Sequence, residues 1–250
     1  LLIYLLNLIA YLFMITMNFL ANYLPLNGKT TGEISNQLQV IFTPAGYVFA
    51  IWGLIYLLTG VWVISQFVIG RKTSIYKKSF PWFLISCILN GLWIYLWHYE
   101  QFILSILVIA FLLISLLITY RLIKQQSSSY LYLLPFSVYT GWVSVATIAN
   151  ISYTLEYYNW QAFGLSDQTW GILLLLIATV IAIIFTIREK DYIYPLVFIW
   201  AFIGIGVNNY DQYPMIVTVS ISLSIVIFLN TMIQLISYVR NGARRINWLK

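Results

Sequence analysis

Charged side chains are scarce in this chain: 8% of its 250 residues are Asp, Glu, Lys or Arg, against 62% hydrophobic. Mean hydropathy is +0.88. A chain of that make-up has too little polar surface to close into a water-soluble globule. A bilayer is crossed by about 20 mostly apolar residues per helix. On that measure there are eight candidate spans, at about 1–24, 45–69, 80–99, 101–120, 130–153, 169–187, 192–209 and 213–239. None contains Asp, Glu, Lys or Arg. The expected fold is an all-α integral membrane protein of about eight transmembrane helices. Residues 1–24 lack a basic leader region and a small-x-small cleavage site, so they read as a retained helix and not a signal peptide.

Each further absence excludes a chemistry. No Lys lies within a span, so a retinal Schiff base has no anchor. Proton or ion coupling normally needs ionisable groups inside the membrane, and there are none. His98 is the only histidine, so the paired His ligands of a zinc protease are missing; its default place is interfacial, at a helix end. Ser144 and Ser152 have no general base near them in sequence, which disfavours an ordinary hydrolase. The single Cys87 sits inside the third span and says nothing of disulfides. No internal repeat or inverted symmetry is visible, which weakens a two-half transporter.

The few charges are sorted by side. Arg71, Lys72, Lys77 and Lys78 follow the second span, Arg121 and Lys124 the fourth, and Arg188 and Lys190 the sixth. Arg240, Arg244, Arg245 and Lys250 form the tail. These alternate connections hold twelve of the thirteen basic residues, leaving Lys29 on the other side with Glu33, Glu100, Glu156, Asp167 and Asp211. Basic loops face the cytoplasm, so both termini are expected there, in a multi-pass protein of the plasma (inner) membrane. The net charge of +6 therefore reports topology, and nucleic acid is not an expected partner.

Aromatic residues are abundant instead, at 18%, and three spans carry them at helical spacing. Phe49, Trp52 and Tyr56 share a face of the second, as do Asn90, Trp93 and Trp97 in the third. In the fifth, Tyr139, Trp142, Ala146 and Asn150 follow at steps of three, four and four, after Pro135, which is expected to kink or open that helix. Turned inwards, the three faces would wall a cavity, with two amides to fix polar edges. The same pattern suits a helix-packing seam, in which Asn only bonds a neighbouring helix. Both readings stand on spacing alone. The polar stretch from Pro25 to Thr43 is long enough to fold over the end of such a bundle.

The three segments resemble those of the tryptophan-rich sensory protein / translocator protein (TspO/MBR) family. Pro44, Tyr47, Phe49, Trp52 and Tyr56 match its first motif. Leu89, Asn90, Trp93, Leu96 and Trp97 match the second. Trp142, Val143, Ser144, Ala146, Thr147 and Asn150 match the third. Departures are Ala45 in place of a second Pro, Tyr47 in place of a Trp, one residue fewer between Phe49 and Trp52, and a Pro135 set about three residues further from Trp142. The resemblance covers about residues 1–155, giving an expected five-helix TspO/MBR-like bundle over 1–155. Residues 156–250 are then three additional helices and a basic cytoplasmic tail.

Family members bind tetrapyrroles such as protoporphyrin, some bind sterols, and some are linked to light-dependent porphyrin breakdown. The resemblance implies a flat hydrophobic ligand, a porphyrin, near Trp52, Trp93 and Trp142, with Asn90 and Asn150 on its polar edges. Tyr47 and the 25–43 loop would be the lid. No cofactor is required on this reading, no catalytic residue or metal site is assigned, and an enzymatic role is not expected. The bilayer and a small hydrophobic ligand are the expected partners, and a homodimer is left open. The alternative is a passive facilitator of a small neutral or hydrophobic molecule, which would line its path with amides such as Asn208, Asn209, Asn230 and Gln234.

Overall fold

The computed structural model describes residues 1–24, 26–69, 74–127 and 129–247, with side chains as far as Arg240. Pro25, Arg71 and Lys72, and the side chains of Arg244, Arg245 and Lys250, lie outside the described residues. The long apolar runs become helices because an α-helix satisfies its backbone within itself, the condition for standing in hydrocarbon. They are α1 (Leu2–Tyr23), α3 (Ile51–Ile69), α4 (Ile75–His98), α5 (Phe102–Gln126), α6 (Tyr130–Tyr157), α7 (Asp167–Glu189), α8 (Tyr194–Asn208) and α9 (Pro214–Asn247). A short helix, α2 (Thr31–Ser35), lies in the polar stretch after α1, and a 3-10 turn at Gly46–Ala50 leads into α3. No strand occurs among the described residues.

Seven of these helices are long and apolar enough to cross a membrane. The eighth expected span, α8, is apolar but has 15 residues, about 22 Å of helix at 1.5 Å per residue against a hydrocarbon core of about 30 Å. Its ends are fixed locally. Asp191 Oδ1 accepts from the Ile193 and Tyr194 amides at 2.8 and 3.0 Å, and Pro195 occupies the first turn, where its missing N–H costs nothing. α6 runs unbroken through Pro135.

Short connections make successive helices antiparallel. Between α4 and α5, Glu100 takes the left-handed conformation (φ 57°) that reverses the chain. Lys77, Lys78, Arg121, Lys124, Arg188 and Lys190 therefore gather at one end, where Glu189 pairs with Lys124 at 2.9 Å and Arg121 at 3.3 Å. Lys29 lies at the other end, paired with Glu100 at 2.9 Å.

α1 packs on α4, α4 on α5, α5 on α6, α6 on α3 and α3 back on α1, so five helices close a ring. α8 docks beside α6, with α7 and α9 against it. Buried amides lock the ring. Asn7 Nδ2 donates to Gln66 Oε1 at 2.9 Å and joins α1 to α3. Asn18 Nδ2 donates to Asn90 Oδ1 at 2.6 Å, and Asn90 Nδ2 to the Tyr139 hydroxyl at 2.8 Å, which ties α1, α4 and α6. Gly91 lets α1 come close, since a Cβ there would stand 2.6 Å from the Phe13 ring.

Candidate ligand pocket

At the α2 end of the ring the aromatic stripes of α3, α4 and α6 converge on a cavity. Its walls are Phe49, Trp52, Trp93, Trp97 and Trp142, with Val145, Ala146, Ala149, Asn150 and Tyr153 along α6. Thr31 and Ser35 of α2, with Thr43 and Pro44 ahead of α3, form its roof and lip. Atom-free space among these side chains, mouth included, is about 510 Å3. The walls are close-set, however: the centre of a water molecule can range over only about 40 Å3, room for a few waters at ~10–15 Å3 each. The cavity is a slit between flat rings.

Trp52 is the hub. Its ring lies 5.7 Å from Tyr56, stacked, 6.2 Å from Trp93, and 6.0 and 6.1 Å from Tyr139 and Trp142, both edge-on. Phe49 meets Trp142 edge-on at 5.9 Å. Trp93 stacks on Trp97 at 5.9 Å, and Trp97 lies 4.9 Å from Tyr153. Among the described residues, no charged side chain lines the slit. The indole N–H groups of Trp97 and Trp142 and the Tyr153 hydroxyl are buried on its wall residues with no hydrogen-bond partner among the described residues.

Of the residues singled out from sequence, Phe49, Trp52, Trp93, Trp97, Trp142, Ala146 and Asn150 line the cavity. Tyr56, Asn90 and Tyr139 do not. Tyr56 and Tyr139 buttress Trp52 from behind, and Asn90 is engaged by Asn18 and Tyr139. Tyr47 stands half exposed, edge-on to Trp200 of α8 at 5.5 Å. Asn150 reaches the cavity, yet its carbonyl oxygen accepts from Trp93 Nε1 at 2.8 Å and Ser105 Oγ at 3.1 Å. Thr31, Ser35, Thr43, Pro44, Val145, Ala149 and Tyr153 complete the lining without a spacing signal of their own. Within the Pro25–Thr43 stretch, the described residues 26–43 do fold over the bundle.

The roof is pinned from two sides. On one, Asn27 Nδ2 donates to the His98 carbonyl at 3.0 Å, and Thr31 Oγ1 lies 3.4 Å from His98 Nε2. His98 Nδ1 is 2.8 Å from the Ile94 carbonyl, which can only accept, so Nδ1 carries a proton. His98, the last residue of α4, is fully buried beneath α2. On the other side, the lip of residues 41–48 lies against α8. Trp200 Nε1 donates to the Val48 carbonyl at 3.1 Å. Asn208 and Asn209 donate to the Thr43 and Ile41 carbonyls, each at 3.0 Å. The Ala45 amide donates to the Gly204 carbonyl at 3.0 Å.

The profile of the TSPO-like protein family matches residues 4–233, nearly the whole chain. The chain belongs to that family. The TSPO-like match takes in α7, α8 and most of α9 as well as the ring that holds the cavity. No curated protein and no solved structure gives a match. Membership of the TSPO-like family suggests a membrane sensor, receptor or transporter type of role.

Proposed function

We propose that this TSPO-like protein is a receptor or sensor that binds a flat hydrophobic ligand, a tetrapyrrole such as protoporphyrin, between the rings of Trp52, Trp93 and Trp142. The observation that carries this reading is the convergence of three aromatic helix faces on one uncharged slit beneath a folded roof. Parallel and edge-on rings recognise a flat π-system, and each offset-stacked pair adds about 0.5–1.5 kcal/mol beyond simple burial. The N–H and O–H groups of Trp97, Trp142 and Tyr153 are buried without a partner among the described residues, and a ligand that parted the walls could accept from them. The slit is narrower than a macrocycle, so binding requires the roof or lip to move. The facilitator reading has less support, because Asn208 and Asn209 donate to the lip carbonyls and do not line a path.

The test is a titration of the detergent-purified protein with protoporphyrin, followed by Trp quenching and the Soret band. Saturable binding that weakens about tenfold in Trp142→Phe or Trp142→Ala, on the scale of one lost stacking contact and hydrogen bond, supports the reading. Gln234→Ala, on α9, should leave the affinity unchanged. Equal losses in Trp142→Ala and Gln234→Ala, or no saturable binding, would return the stripes to helix packing.

A further inference from the structure

We propose that α8 is the latch of this pocket: Trp200, Asn208 and Asn209 are positioning residues that hold the 41–48 lip closed over the slit, and their release admits the ligand. The inference rests on the slit being the ligand site, and deepens that reading by naming the wall that moves.

Something must move, because the slit leaves the centre of a water molecule about 40 Å3. The ring helices are poor candidates. Their facing sides are joined at the depth of the cavity by buried amides, Asn90 to Asn18 and Tyr139, and Asn150 to Trp93 and Ser105. Parting them would leave those groups unpaired in a low-dielectric interior. The lip differs. It supplies Thr43 and Pro44 to the slit and leads through Val48 into Phe49.

Its long-range backbone bonds run outwards, to α8. The carbonyls of Ile41, Thr43 and Val48 accept from Asn209, Asn208 and Trp200, and the Ala45 amide donates to Gly204. Irregular backbone is tolerated beside a membrane only where protein or water satisfies it, and three of these four partners are side chains of α8 or, for Asn209, of its C-cap. The lip is also fitted sterically. Val48 is fully buried, and a Cβ at Gly204 would overlap Val48 Cγ2 and stand 3.3 Å from Pro44 Cβ. Moving the lip and α8 apart opens the slit without breaking an amide junction of the ring. α7 and α9 pack on α8, so whatever shifts α8 in turn biases the pocket; coupling of this kind runs both ways.

Two variants loosen the latch by different means in the full-length protein. Asn208→Ala/Asn209→Ala removes two pins, and Gly204→Ala wedges Val48 off the helix. Stopped-flow mixing with protoporphyrin should show an association rate constant raised about tenfold in each, the change expected when two neutral hydrogen bonds hold the closed state. A constant that is unchanged or lower in variants with native far-UV circular dichroism overturns the latch. Trp200→Phe keeps the ring on Tyr47 but loses the bond to Val48; it replaces either variant that fails to fold and should move in the same direction. If the wild type binds no porphyrin, the ligand reading fails separately. The latch is then read without ligand, from maleimide labelling of Ala146→Cys in a Cys87→Ser background. Labelling should speed up about tenfold in the same variants, and an unchanged rate overturns the proposal.

Discussion

Asn150 shows how one residue can serve the ring and the cavity together. Its carbonyl oxygen accepts from Trp93 and Ser105, and its amide nitrogen donates to Ser105 Oγ at 3.0 Å, so it binds α4, α5 and α6 at one point. Replacing it with Ala leaves the Trp93 N–H buried without a partner, at a cost of about 1–3 kcal/mol; interhelical hydrogen bonds in membranes average nearer 0.6 kcal/mol. Asn150→Ala should therefore lower stability by about 1–2 kcal/mol, seen as a reduced midpoint in denaturant titration followed by circular dichroism. An unchanged midpoint would mean that water reaches the Trp93 N–H. The same residue marks how far spacing could be read. Steps of three and four place residues on one face but also spread them 4.5–6 Å along the axis. Tyr56, Asn90 and Tyr139 each lie one step from a cavity Trp, towards the basic end. They consequently form a layer beneath the slit, although the shared face of Trp52, Trp93 and Trp142 was legible.

At the scale of an element, α2 is the part least able to stand alone. Five residues are far too few for an isolated helix, and it is held by its cap and by the fully buried Ile34. The Thr30 amide donates to Glu33 Oε2 at 2.6 Å, and the Glu33 amide to Thr30 Oγ1 at 3.2 Å, a reciprocal capping box. Those bonds from Thr30 hold the Glu33 carboxyl below its ordinary pKa of 4.5. A carboxyl depressed by folding stabilises above its unfolded pKa, and the contribution is lost as pH falls through the folded value. Amide protection factors in α2 should accordingly fall as pH drops below the usual glutamate range. Glu33→Gln keeps an acceptor for the Thr30 amide and should flatten that dependence. An identical profile in wild type and Glu33→Gln would assign it to another group. The pattern Thr-x-x-Glu was present in the sequence, but its contact with His98 joins residues 67 apart, and local spacing carries no such information.

For the whole molecule, the helices were legible because each hydrophobic run is bounded by charges or turns, and the antiparallel order follows from short connections. The placing of α8 against the lip was not, since it depends on bonds between residues more than 150 apart. The grouping of the basic loops at one end leads us to propose that this end is cytoplasmic, with both chain termini. In intact cells, a membrane-impermeant maleimide should label Ser166→Cys and leave Ser127→Cys unlabelled until the membrane is opened; the reverse pattern would invert the topology. Gly204 adds a consequence for how such a sequence can vary. The lip and α8 meet with no room for a Cβ, so positions 48 and 204 form one volume shared by two side chains. A lineage that gains bulk at 204 must shed it at 48: Gly204→Ala alone should open the contact, and Gly204→Ala with Val48→Ala should restore it. Bulk added at one place is expected to need bulk removed at the other, though 155 residues of chain lie between them.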